Sequence, residues 1–312
     1  MASNSCEARS ACAPNPLLFL NDAQTQVAMQ TDTITFTDFR PQHIGEALRL
    51  SQAAGWPHRA EDWALIQHLS RGVIALQGDR LVASAMATPF GPVATLNMII
   101  VDEALRGRGL GRRVMEEAMA RATPDEWRLV ATKDGLPLYE KLGFVAFGEV
   151  QQFQGVVRIP GSNEEVAAAG ADELGWATPA DTKALSALDL AATGMERSGL
   201  MAALLRAGRI LSIRESGQIV AFAAIRTFGK GEVAGPVIAR EASEAQRLLG
   251  ALFARRDGQF LRIDTTADTG LAPWLEGFGL VGAGGGIAMR RGRSAPTSTT
   301  HRSFALAAQA LG

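Results

Sequence analysis

The chain of 312 residues contains one tyrosine, two cysteines and four histidines, and each scarcity removes a class of chemistry. Both cysteines, Cys6 and Cys12, fall in the small, polar stretch MASNSCEARSACAPNP, so neither a disulfide framework nor a CxxC metal site is expected. His43, His58, His68 and His301 show no HExxH or paired spacing, which argues against zinc hydrolysis, and no metal is expected. No apolar run approaches the roughly 18 residues of a membrane helix, and PLLFL is too brief for a signal-peptide core. A net charge of −1 provides no basic field for nucleic acid or anionic membrane. The expectation is a cytoplasmic protein with neither of those partners.

What remains is a globular composition, 47% hydrophobic and 20% charged, in a chain long enough for two domains. Residues 1–32 read as a flexible tail. TITFTDFR alternates like a strand, and Pro41 opens a helical pattern. AEDWALIQHLSR reads as a second helix, GVIALQ and LVASAMAT as a hairpin around Gly78-Asp79, and ATLNMIIVDE as an apolar strand. A helix with an apolar face through Leu110, Val114, Met115 and Ala118 follows Gly109. WRLVAT, PLYEKL and FVAFGEVQQF then read as strand, short helix and closing strand, completing a domain over 33–158.

Residues 159–171 carry turn residues and acids without a period and read as a linker. The order of elements then restarts over 172–292. Val101 falls on Val237 and Gly143 on Gly279 at one offset (279 − 143 = 136), which points to a duplicated fold. Residues 293–312 read as a tail whose HRSFALAAQALG forms a short helix.

The most informative segment is MIIVDEALRGRGLGRRVMEEA. Glycines there let backbone amides approach a bulky anion, and the start of the following helix presents unpaired N–H groups to it. Arg106, Gly107, Arg108, Gly109, Leu110, Gly111 and Arg112 therefore form a candidate pyrophosphate cradle, with a structural turn as the plain alternative. It is not a Walker loop, because no Gly-Lys-Ser/Thr follows, and it lacks the setting of a dinucleotide fingerprint.

Paired with LYEKLGF about thirty residues later, this segment resembles the GNAT (Gcn5-related) N-acetyltransferase family over residues 33–155, and the whole chain is similar to its tandem bacterial members. The resemblance implies an α/β (α+β) fold with two tandem GNAT-like domains. Each has a mixed, mostly antiparallel sheet flanked by helices, with a V-shaped opening between its fourth and fifth strands. It implies acetyl-CoA as cosubstrate, with pantetheine on the backbone of Ile99, Ile100 and Val101 and pyrophosphate on residues 106–112. An amide near Ile99 or Ile100 is the implied oxyanion donor, and Tyr139 the implied proton donor to the leaving thiolate. A phenol can do that and a phenyl ring cannot.

Substrate-side residues are expected in AAGWPHRAEDW: Trp56, His58, Asp62 and Trp63, although tryptophans so placed are more often packing residues than a substrate cage. At the 136-residue offset, Arg106 falls on Ala242, Gly109 on Ala245, Gly111 on Arg247 and Tyr139 on Leu275, so the second domain is read as degenerate. The expected activity is direct acetyl transfer from acetyl-CoA to a small-molecule primary amine. The alternatives are an acyl-CoA-binding sensor or an interaction protein, and a homodimer is left open.

Overall fold

The computed structural model describes residues 33–160, 174–298 and 300–312, together with Met1. The expected tail over 2–32 and linker positions 161–171 lie outside the described residues. In the first half the chain runs β1 (Ile34–Asp38), α1 (Ile44–Ala53), α2 (Ala60–Leu69), β2 (Arg71–Gln77), β3 (Arg80–Phe90), β4 (Val93–Val101), α3 (Leu110–Met119), β5 (Glu126–Ala131), α4 (Leu136–Lys141) and β6 (Val145–Val156). The second half repeats that order as β7 (Leu174–Trp176), α5 (Thr182–Thr193), α6 (Ser198–Ala207), β8 (Gly208–Glu215), β9 (Gln218–Phe228), β10 (Gly231–Ala239), α7 (Ala242–Phe253), β11 (Phe260–Thr266), α8 (Ala272–Gly277) and β12 (Val281–Gly292). A thirteenth strand, β13 (Arg302–Ala305), follows.

Among the described residues all the strands belong to one sheet, ordered β1-β2-β3-β4-β5-β12-β6-β11-β10-β9-β8-β7, with β13 paired to β10. The two halves exchange their last strands. β12 pairs antiparallel with β5, and β6 pairs antiparallel with β11. On one face α1, α2, α5 and α6 share a core that runs from Trp63 and Ile74 to Leu200 and Phe222. On the other, α3 and α4 pack on the first half and α7 and α8 on the second, each pair over its own core. Hairpin β2–β3 turns at Gly78, whose φ of 59° only glycine adopts without strain.

The repeat is real, but its register is not uniform. β6 and β12 match at the expected 136, whereas β4 and β10 match two residues further on, so that Val101 falls on Ala239 (239 − 101 = 138). The difference arises after β4. Residues 102–109 separate β4 from α3, while only 240 and 241 separate β10 from α7. The second copy has therefore lost the glycine loop outright, where the single offset implied point substitutions.

β4 and β5 pair in parallel over only three positions, Val93 to Thr95, and then splay. Met98 marks a bulge in β4 with φ of 49°, and Ser84 Oγ donates to its carbonyl at 2.8 Å. A non-glycine residue in that region carries strain of about 1–3 kcal/mol, which its surroundings must hold. β10 and β11 pair over only Glu232 and Val233 before diverging. Here the chain fills its own opening: β13 pairs with β10 at Val237–Ala239, and Leu306 N–H donates to Asp264 O at 2.8 Å. The end of the chain is thus a strand, not the short helix its alanine-rich sequence suggested. Its backbone groups find strand partners at the open edge of β10, and that outweighs local helix propensity.

Candidate active site

The loop before α3 holds Gly107 and Gly109 at φ of 76°, with open space where a Cβ would stand. Their requirement is conformational: the loop must turn so that Gly109 caps α3 in the left-handed region. The amides of Leu110, Gly111 and Arg112 precede the first backbone bond of the helix, which Arg113 N–H makes to Gly109 O at 3.1 Å. Arg106, Arg108 and Arg112 are exposed around this end, although Arg112 reaches back to Glu116 at 2.7 Å. Free amides, positive dipole and flanking guanidiniums suit a pyrophosphate, so the loop fits the cosubstrate that its sequence suggested.

The splayed edges of β4 and β5 open into a cavity of about 410 Å³. Leu96, Asn97, Met98 and Ile99 supply one wall, Val130 and Thr132 another. Of the three β4 residues expected along pantetheine, Ile99 reaches this cavity. Ile100 turns into the core shared by both halves, and Val101 packs beneath α3 against Gly111.

Tyr139 lies on α4 at the cavity and is 7% exposed. Burial pushes its phenol up to about 12, so it is protonated at neutral pH. Among the described residues its hydroxyl makes no hydrogen bond. Gly135, one turn earlier, leaves the ring its place: a Cβ there would stand 2.8 Å from Tyr139 Cε2. At the equivalent positions the second half has Leu271 and Leu275, both fully buried.

Trp56, His58 and Asp62 also line the cavity, but their roles differ. His58 is pushed down to about 4 by burial, against the opposing pull of Asp62, and stays neutral; its Nδ1 has no partner. Asp62 is fully engaged. As the third residue of α2 it accepts from Arg59 N–H at 2.9 Å, capping the helix, and it takes Arg226 Nη1 at 3.2 Å and Gly229 N–H at 3.3 Å. It clasps the second half to the first and is not free to take a proton from an amine. Trp63 is not at the cavity at all. It is wholly buried, stacks on Phe39 with ring centroids 5.6 Å apart, and donates from Nε1 to Ser51 Oγ.

The rest of the cavity comes from beyond residue 150. Gln152 on β6, Arg226 and Phe228 on β9, Arg262 on β11, the glycine run 283–285 and residues 308–310 close it. Sequence reasoning confined to the first copy missed them all. Their signal was present as charges set inside apolar strands, Arg226 in AFAAIRTF and Arg262 and Asp264 in FLRIDTT. Charges so placed must be paired or lie at a site.

Residues 39–161 and 185–305 each match the acetyltransferase (GNAT) domain. The N-acetyltransferase YitH of Bacillus subtilis is 30% identical over 233 residues, which are 73% of this chain and 80% of YitH. The chain belongs to the GNAT acetyltransferase family. Among solved structures, this GNAT protein resembles an acetyltransferase of Pyrococcus horikoshii with a TM-score of 0.73 at 20% identity, over 90% of this chain and 96% of that one. It also resembles a tandem GNAT protein from the clavulanic acid biosynthesis pathway, with a TM-score of 0.56 at 12% identity, over 84% of this chain and all of the other. At those identities the likeness establishes the fold. With two GNAT domains and a relative named as an N-acetyltransferase, the protein is an acetyltransferase, and its family transfers acyl groups to amines.

Proposed function

We propose that this cytoplasmic GNAT protein acetylates the primary amine of a small molecule, using acetyl-CoA, and that only the first half binds the cosubstrate. The observation that carries the proposal is a protonated, unengaged phenol, Tyr139, at the cavity between β4 and β5, in a half of the chain whose glycine loop opens α3. Acetyl-CoA supplies the activated acetyl group as a thioester. The amides of Gly107–Arg112 with Arg106 and Arg108 hold its pyrophosphate, and the unpaired edge of β4 around Ile99 orients its pantetheine amides. A β4 amide near Ile99 or Ile100 stabilises the charge that develops on the carbonyl oxygen. The amine nitrogen attacks the thioester carbonyl and the carbon–sulfur bond breaks; Tyr139 Oη gives its proton to the departing sulfur, and the proton released by the nitrogen restores the phenol through solvent. The acceptor enters from the side of Trp56 and His58, between the halves.

The second half lacks each of these parts. Its cradle loop is two residues long, β13 fills its strand opening, and Leu275 stands where the phenol would be. Thiol release from acetyl-CoA across a panel of amines tests the proposal. Turnover on at least one amine, reduced about 100-fold or more in Tyr139→Phe, is expected. Binding of acetyl-CoA without turnover on any amine would make the protein a sensor. Gly109→Glu serves as the control and removes the rise in melting temperature that acetyl-CoA gives.

A further inference from the structure

The acceptor end of the cavity has a chemical sign that the first-half residues alone do not reveal. Its charged lining comprises Asp62, Arg226 and Arg262, with Asp264 paired to Arg262 behind the wall, and His58 beside them is neutral. Arg226 is 4% exposed and Arg262 9% exposed. Both guanidiniums sit over the ring of Phe228, at 5.0 and 5.2 Å from its centroid, so one aromatic side chain fixes the pair.

Neither arginine is used up by its ion pair. Arg226 gives Nη1 to Asp62 and Thr227 O, while its Nε is buried without a partner. Arg262 gives Nε and Nη2 to Asp264 at 2.9–3.2 Å, and its Nη1 makes no hydrogen bond among the described residues. Arg226 Nε is enclosed, whereas Arg262 Nη1 is not, and it is the donor left for an incoming oxygen. Asn97 also lines the cavity, but it gives its amide N–H groups to Thr88 and Thr95, and its Oδ1 is enclosed in the wall.

We infer that the acceptor is an amine that also bears a carboxylate, of amino-acid type, with the carboxylate bound at Arg226 and Arg262. This rests on the acceptor cavity identified above. A polyamine or polycationic aminoglycoside would bring further positive charge against two guanidiniums and leave their free donors unpaired. A cavity of about 410 Å³, closed on one side by residues 308–310, suits a small molecule better than a lysine carried on a protein surface.

The test compares amines that differ only in the carboxylate: L-lysine with cadaverine and L-phenylalanine with phenethylamine, with spermidine as a polycation. Each is titrated calorimetrically into the full-length protein in the presence of CoA. At least one carboxylate-bearing member should bind tenfold or more tightly than its counterpart. That margin should vanish in Arg262→Gln/Asp264→Asn, which removes both charges of the pair together. Arg226→Lys keeps the charge and should retain part of the margin. Equal binding within both pairs, tighter binding of cadaverine or spermidine, or no binding by either amino acid overturns the inference. Selective binding without thiol release would leave the inference standing and remove the acetyl-transfer reading.

Discussion

Gly135 and Tyr139 form a matched pair one helical turn apart: the missing side chain of the first is the space occupied by the ring of the second. Gly135 has ordinary helical torsions, φ −81° and ψ −25°, so its backbone does not require glycine. Gly135→Ala should therefore keep the fold, at a small cost because alanine is a poorer N-cap than glycine, yet its Cβ would push on Cε2, Cζ and Oη of Tyr139. A fall in kcat of about tenfold or more is expected, against the 10²–10⁴-fold contribution of a positioned acid. Acetyl-CoA should raise the melting temperature as in the parent. Unchanged kcat would mean that the position of the phenol is not critical.

His58 predicts a stability change in mildly acid solution. Its folded value of about 4 lies below its ordinary 6.5, so between those values the unfolded chain binds the extra proton. The contribution is complete above pH 6.5 and is lost as pH falls toward 4, with an upper bound of about 3 kcal/mol at 1.36 kcal/mol per pH unit. The groups that face the ring are Asp62 on α2, Arg226 on β9 and Arg262 on β11. Melting temperatures of the parent and His58→Asn, measured from pH 7 to 4, should converge as the pH falls. Parallel curves would show that another group governs that range.

Arg197 and Asp189 make a fully buried ion pair, and the guanidinium also donates to the carbonyls of Leu311 and Gly312. Arg197→Ala leaves a buried carboxylate without its partner, at a cost of about 3–5 kcal/mol. It also frees the segment that closes the cavity. Denaturant unfolding should show the loss, and KM for the acceptor should rise more than KM for acetyl-CoA. A loss below about 1 kcal/mol would contradict the burial of this pair.

One acetyl-CoA should bind per chain. β13 occupies the opening in the second half, and residues 240 and 241 leave no loop to cradle a phosphate. Calorimetric titration giving two equivalents would refute the asymmetry between the halves.

The order of elements, the two domains and the phosphate loop were legible because each depends on local pattern: strand alternation, helix periodicity and glycines before a helix. Two features were not. The exchange of β6 and β12 leaves no local mark, since a strand of one composition pairs equally well with either neighbour. The second-half wall of the cavity was hidden for a related reason. Arg262 sits in a strand that supplies its own partner, Asp264, Arg226 pairs with Asp62 from the other half, and only the fold brings both opposite His58. Trp63 failed in the other direction: an aromatic in a loop-and-helix segment proved to be core, held by Phe39 and Ser51.

The crossed placement of β6 and β12 has a consequence for ancestry. Two separate units of this design would have to exchange their closing strands to rebuild this sheet. Joining the two in one polypeptide replaces an encounter in solution with a tethered one, at an effective concentration in the millimolar range for a short connection. It also releases the copies from being identical. Once joined, one could keep the cosubstrate loop and the phenol, while the other lost both and became a wall with its own arginines. A pair of identical subunits would have to change both sites at once.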